Sequence, residues 1–234
     1  MKTVYKTQLT LFSSYFDKND NLTPKSVLSI FQDVASIHAE QLNIGYLPML
    51  EKNLYWVLSR IKFDVIKMPK PNEQVIIKTW PHQKGKIDFD RDLQILDLEE
   101  NVLIKATSKW CVIDVNTRRL MRTDGIEYNG EIFEEKNYEE KFTKIDLPSV
   151  SFNNCLNYQV MFSDLDHNQH MNNTNYANLI LSAINNKVVN HFEINFVAEC
   201  KQNDIINVYH STQNQEEITY GKVNENIVYI SKTY

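Results

Sequence analysis

The chain of 234 residues is 42% hydrophobic and 24% charged, the make-up of a folded protein with one large domain or two small ones. A net charge of −5 argues against general nucleic-acid binding, and three widely spaced cysteines (Cys111, Cys155, Cys200) argue against a disulfide framework. No apolar run of about 18 residues occurs, and the opening MKTVYKTQLTLFSSYF lacks a signal-peptide core, so the expected location is the bacterial cytoplasm, without membrane insertion.

Taken along the chain, the first helix signal is Thr23-Pro24, an N-cap followed by proline at the first helical position. Val27, Phe31, Val34 and His38 recur at helical spacing, and Gly45 follows the expected end. Alternating or β-branched runs then predict strands over 55–66, 74–81, 86–97 and 101–115. The acidic stretch 125–150 reads as a linker wrapped over the outside. A second helix begins at Asn172 or Asn173 and carries Tyr176, Leu179, Ile180, Ala183 and Ile184 on one face. Strands are predicted over 188–198, 204–212, 216–222 and 226–233.

The second half echoes the first in three places and in the same order. YFDKNDNLTPKSVLSIFQ runs parallel to FSDLDHNQHMNNTNYANL, which sets Asp17 on Asp164, Asn19 on Asp166, Asn21 on Asn168 and Thr23 on His170. IKFDVIKMPKPNEQVIIKT echoes EINFVAECKQNDIINVYHS, with Met68 opposite Glu199. ENVLIKATSKW matches ENIVYISKTY. The expected organisation is therefore two copies of one unit, over 1–124 and 151–234, joined by the linker. Strand content outweighs helix in both copies, which predicts an α+β fold: in each unit a long helix packed against an antiparallel sheet.

The polar run at 164–175 admits several chemistries. Asp164, Asp166 and Asn168 have the spacing of a calcium loop, but Gln169 stands where glycine must make the turn and Asn175 where a bidentate Glu is required. His167 and His170 lack a third ligand nearby, so no metal is expected. Asp and Asn also stabilise turns and caps by themselves, which accounts for Asp164, Asn172 and Asn173 but gives no reason for an imidazole at 170. A catalytic reading accounts for it. Backbone N–H groups of Asn172, Asn173 and Thr174 at the helix start suit an oxyanion, Asn168 and His170 sit just upstream, and Glu199 on the next strand is a candidate base.

DLDHNQHMNNTNYANLIL with the later FVAEC resembles the acyl-ACP thioesterases of plants and bacteria, whose hallmark is Asp-x-Asn-x-His-x-Asn-Asn followed by Glu-Cys. SKWCVIDVNTRRLMR in the first half is similar to the same family. The resemblance implies two fused hot-dog units, no cofactor, and hydrolysis of the thioester joining a fatty acyl chain to the phosphopantetheine arm of acyl carrier protein. The first unit is then a scaffold and acyl pocket, and the second carries the catalysis. Glu199 is implied as general base, Asn168 and His170 as groups orienting water and substrate, and Asp166 as the group fixing them from behind. Cys200 is the competing nucleophile, disfavoured because adjacent strand residues face opposite ways and its face is otherwise apolar.

Arg118, Arg119 and Arg122, with Lys105 and Lys109, form a local positive cluster suited to docking an acidic carrier protein. Trp56, Trp80 and Trp110 read as core or as acyl-tunnel lining, and His82, His191 and His210 as strand residues without an evident partner. Two other functions use the same fold: hydrolysis of acyl-CoA thioesters, and acyl binding without catalysis. A fused pair supplies its own pairing, which is compatible with a monomer or a dimer.

Overall fold

A computed structural model describes residues 3–128, 131–185 and 187–234. The chain divides into two compact units, one comprising Met1–Thr23 and Val27–Lys141, the other Pro24–Ser26 and Phe142–Tyr234. The stretch read as a linker is thus shared between them, up to Lys141 with the first and from Phe142 with the second.

In the first unit β1 (Tyr5–Thr10) precedes a helix α1 (Pro24–Gln41), a short helix α2 (Tyr46–Leu50) and four strands. These are β2 (Leu54–Val65), β3 (Gln74–Pro81), β4 (Phe89–Leu96) and β5 (Val102–Asp114), and the antiparallel order is β1-β3-β4-β5-β2. α1 forms as its apolar spacing predicts: Val27, Leu28, Phe31, Val34, Ala35 and His38 are all buried. The helix stops before Gly45, because Asn43 takes the left-handed conformation at φ 59° and closes the end.

The second unit opens with β6 (Asn153–Gln159), followed by a helix α3 (Tyr176–Ala183) and strands β7 (His191–Phe196), β8 (Ile205–Gln213), β9 (Glu216–Val223) and β10 (Asn226–Thr233). Its order, β6-β8-β9-β10-β7, is that of the first unit strand for strand. Two units of the same α+β topology are present, as the repeat predicts. The second helix is short, with eight residues against 18 in α1. It ends at Ala183; Asn185, just past the cap, adopts φ 57° ahead of β-branched Val188 and Val189. The opening strands β1 and β6 are absent from the sequence reading.

Alternation along β4 sends Arg91, Leu93 and Ile95 toward α1 and Asp92 and Gln94 to the other face. That other face is not bare. Residues 133–138 lie across it: Asn137 donates from its side chain to the carbonyls of Leu93 and Ala106 and from its backbone to Asp92, while accepting from Gln94. Trp80 donates to the Glu135 carbonyl and meets Phe133 edge to face. Trp80 is therefore sealed under this strap and lines no tunnel. Trp56 and Trp110 flank the core cluster of Leu42, Ile44, Met49, Phe89, Val112 and Ile126.

Candidate active site

Residues 161–175 of the second unit fold into a cap, a tight turn and a helix start. Asp164 ends a single 3-10 turn (Phe162–Asp164), and its carboxylate accepts from the Tyr158 hydroxyl at 2.7 Å and the Met161 amide at 2.8 Å. Burial, reinforced by that bond to a carboxylate, pushes Tyr158 up to about 12, so it remains a donor. Asp166 turns the chain back on itself: its carboxylate accepts the amides of Asn168 at 2.8 Å and His170 at 3.3 Å, and Gln169 adopts φ 64°. Asp164 and Asp166 thus spend their carboxylates on the loop. Asp166 fixes Asn168 and His170 through their backbones, and the side chain of Asn168 is exposed.

The same turn exists in the first unit two residues off the register read from sequence. Asp17 accepts the amides of Asn19 and Asn21, Asp20 has φ 60°, and bridges Phe16–Leu22 and Leu165–Met171 close the two turns alike. Asn172 donates to Asp164 O as Thr23 donates to Tyr15 O. Asp17 therefore corresponds to Asp166, not Asp164, and the counterpart of His170 is Asn21, not Thr23. Met68 remains the counterpart of Glu199: Ile66 and Lys67 both donate to Leu103 O, as Val197 and Ala198 do to Val228 O. Neither ionisable group has an ionisable equivalent in the first unit.

His170 and Glu199 come together, with Nε2 3.4 Å from the carboxylate and side chains 14% and 32% exposed. The alignment is fixed next door, where the Met171 amide donates to the Cys200 carbonyl at 2.8 Å. Strand β7 has already ended at Phe196, yet Glu199 and Cys200 still face opposite ways. Cys200 is fully buried; burial pushes its thiol up to about 11 against the opposing effect of a hydrogen bond with the Tyr176 hydroxyl. A buried thiol of that kind is an anchor, with none of the acidity a nucleophile requires.

Two of the three backbone donors expected at the helix start are already engaged. The Asn172 amide donates to Asp164 O, and the Thr174 amide to the Asn172 side chain, which caps the helix and also accepts the Thr174 hydroxyl. Asn172 is an N-cap, and N-caps take up the amide two residues on. Asn173 N–H makes no backbone bond to a described residue.

The family model for the acyl-ACP thioesterase N-terminal domain matches residues 2–126, and that for the C-terminal domain matches residues 148–228. The chain belongs to the acyl-ACP thioesterase family. It is 28% identical over 92% of its length to oleoyl-acyl carrier protein thioesterase 2 of Arabidopsis thaliana, and spans 64% of that protein. With oleoyl-acyl carrier protein thioesterase 1 of the same plant it shares 27% identity, over 93% of this chain and 66% of the relative. The chain thus spans slightly under two thirds of these two relatives' own length. Among solved structures, an acyl-ACP thioesterase from Bacteroides thetaiotaomicron superposes at TM-score 0.87 with 25% identity, over 99% of this chain and 97% of the other. The 12:0-ACP thioesterase from Umbellularia californica shares the fold at TM-score 0.83 and 18% identity, covering 100% and 97%.

Outside the motif, the family member differs from the sequence reading in its charges and histidines. Lys109 is held by Asp88 and Asp90, Lys105 lies over the Tyr138 ring and donates to Asn137 O, and Arg122 pairs with Asp124. The positive cluster is reduced to Arg118, over the Tyr55 ring, and exposed Arg119. Each strand histidine has a partner: His82 lies 3.1 Å from Asp92, His191 stacks on Tyr234, and His210 lies 2.6 Å from Glu217. The anchoring tyrosines 158 and 176 escape sequence reasoning, because an aromatic at a strand end or on a helix face signals core before it signals a hydroxyl partner.

Proposed function

We propose that the chain hydrolyses the thioester of fatty acyl-acyl carrier protein and releases a free fatty acid. The observation that carries this reading is the His170–Glu199 contact, which brings the two sequence motifs into one partly exposed site. Glu199 takes a proton from water, whose oxygen attacks the thioester carbonyl, and His170 orients that water and the substrate. Asn173 N–H receives the oxyanion as it forms. Collapse of the tetrahedral intermediate breaks the C–S bond, and the phosphopantetheine thiol, with a pKa near 8.5, leaves without a strong acid.

Family membership and the names of the relatives support acyl carrier protein as the partner, and Arg118 and Arg119 offer it positive charge. Three unbonded cysteines suit a reducing compartment, in keeping with the cytoplasm. The test is thiol release from acyl-ACPs of graded chain length beside the matching acyl-CoAs. Preference for the ACP substrates, lost in Glu199→Gln, is the expected result. Equal or better turnover of acyl-CoA would overturn the choice of partner, and binding without release would overturn hydrolysis.

A further inference from the structure

The short second helix leaves part of its own sheet uncovered. Leu103 and Val228 are counterparts, so Ser108 and Thr233, five residues on, are too, and with them their cross-strand partners Arg91 and Glu217. In the first unit α1 runs on as far as His38, which accepts from Arg91. Counted from the matched positions Thr23 and Asn172, Lys187 stands in the place of His38, but α3 has already stopped at Ala183. A cavity of about 410 Å³ lies past that end. Ile184, Val188, Val189 and Tyr234 give it apolar walls, while Lys187, Glu217 and Thr233 supply polar groups.

Glu217 and Thr233 stand directly opposite each other on β9 and β10, 5% and 1% exposed. Alternation along β10 puts Thr233 with Ser231 and Tyr229 on the α3 side, where Tyr229 meets Tyr176. Two residues along, the opposed pair Thr219 and Ser231 bond to each other at 2.6 Å. Glu217 and Thr233 do not. One oxygen of Glu217 accepts from Thr212 at 2.7 Å and lies 2.6 Å from His210, and the other accepts from Lys187. Among the described residues, Thr233 Oγ1 has no partner.

A buried carboxylate calls for a cation, and the one it holds is a lysine whose side chain is 58% exposed. Holding a long side chain in that one geometry costs rotamer entropy. An ammonium entering the cavity meets the same carboxylate oxygen and, across the strands, the Thr233 hydroxyl as a second acceptor. The apolar walls take its carbon body. Charge selects against an anion: residues 142–234 carry five lysines, no arginine and nine Asp or Glu, a net −4. A cavity of about 150 Å³ holds a benzene ring, so this one has room for a larger molecule.

We infer that this cavity binds a small organic primary ammonium, whose –NH3+ group displaces Lys187 from Glu217 and donates to Thr233. The site lies beyond the end of α3, whereas His170 and Asn172 precede its start, and it does not rest on the reaction proposed above.

The experiment is titration of the full chain at neutral pH with hexylamine, hexanol and hexyltrimethylammonium, following the backbone amides of Glu217 and Thr233. Hexylamine is expected to shift both and saturate; hexanol, without charge, and hexyltrimethylammonium, without N–H, are expected to shift neither. Lys187→Ala should bind hexylamine about tenfold more tightly, because the competing side chain is gone. Glu217→Gln should weaken binding at least about tenfold. Thr233→Val should also weaken it while keeping or raising Tm, since it removes a buried hydroxyl without a partner. No saturable shift in wild type, or hexanol binding as tightly as hexylamine, would overturn the ammonium site. Unchanged hexylamine affinity in Lys187→Ala would overturn the displacement.

Discussion

Asn21 and His170 occupy the same place in the same turn: each donates its amide to the carboxylate of an Asp four residues earlier, Asp17 at 3.0 Å and Asp166 at 3.3 Å. The backbone of the turn is therefore indifferent to which side chain it carries. His170→Asn should fold with an unchanged Tm and lose about 10²- to 10⁴-fold in kcat/KM for thioester hydrolysis. Steady-state kinetics beside a melting curve decides it; retained activity would remove His170 from the mechanism.

The two aspartates provide a matched pair. Asp17→Ala and Asp166→Ala each release two backbone amides, and each should cost about 1–3 kcal/mol in denaturant melts. Only Asp166→Ala should also lower kcat, because only that turn carries a side chain to which the proposed mechanism assigns a role. Equal loss of kcat in both would show that the turns act through general stability.

Cys200 separates anchoring from chemistry. Cys200→Ala should keep kcat within a few-fold while losing about 1–2 kcal/mol, since the Tyr176 hydroxyl loses its partner. Native protein should also resist thiol alkylation at this position. Abolished turnover in a folded Cys200→Ala would restore the nucleophile.

Acid should destabilise the fold in two steps. His38 is held at about 4 against an ordinary 6.5, so the unfolded chain takes up its proton first and stability falls as pH drops from 6.5 to 4. Burial raises Glu217, but hydrogen bonds from Lys187, Thr212 and His210 outweigh it and hold the carboxyl at about 2 against 4.5. Its contribution is complete above pH 4.5 and is lost as pH falls toward 2. Each step is worth up to about 3 kcal/mol. Urea melts across pH should show the upper step flattened in His38→Gln and the lower in Glu217→Gln; unchanged slopes would refute both assignments.

The helices, the strands after them and the two motifs were legible because amphipathic spacing and Asp/Asn turn chemistry are local. β1 and β6 were not, since they are edge strands in their own sheets, and strands such as TQLT and NYQ carry polar residues on their open sides. The register of the repeat slipped by two for a related reason. Asp164, Asp166 and Asn168 repeat a polar side chain every second residue, so the pattern matches itself after a shift of two, and only the partners of each amide decide the alignment. The pairing of His170 with Glu199 was readable; the engagement of the Asn172 and Thr174 amides was not, because it depends on which side chain wins the cap.

Asn137 reads two carbonyls, Leu93 on β4 and Ala106 on β5, that stand side by side only once those strands have paired. The strap has nothing to grip before then. The bonds of residues 133–138 to the first unit are therefore complete only where β4 and β5 are paired. Synthesis from the N-terminus delivers β4 and β5 before residues 133–138, so the strap emerges after the strands it grips.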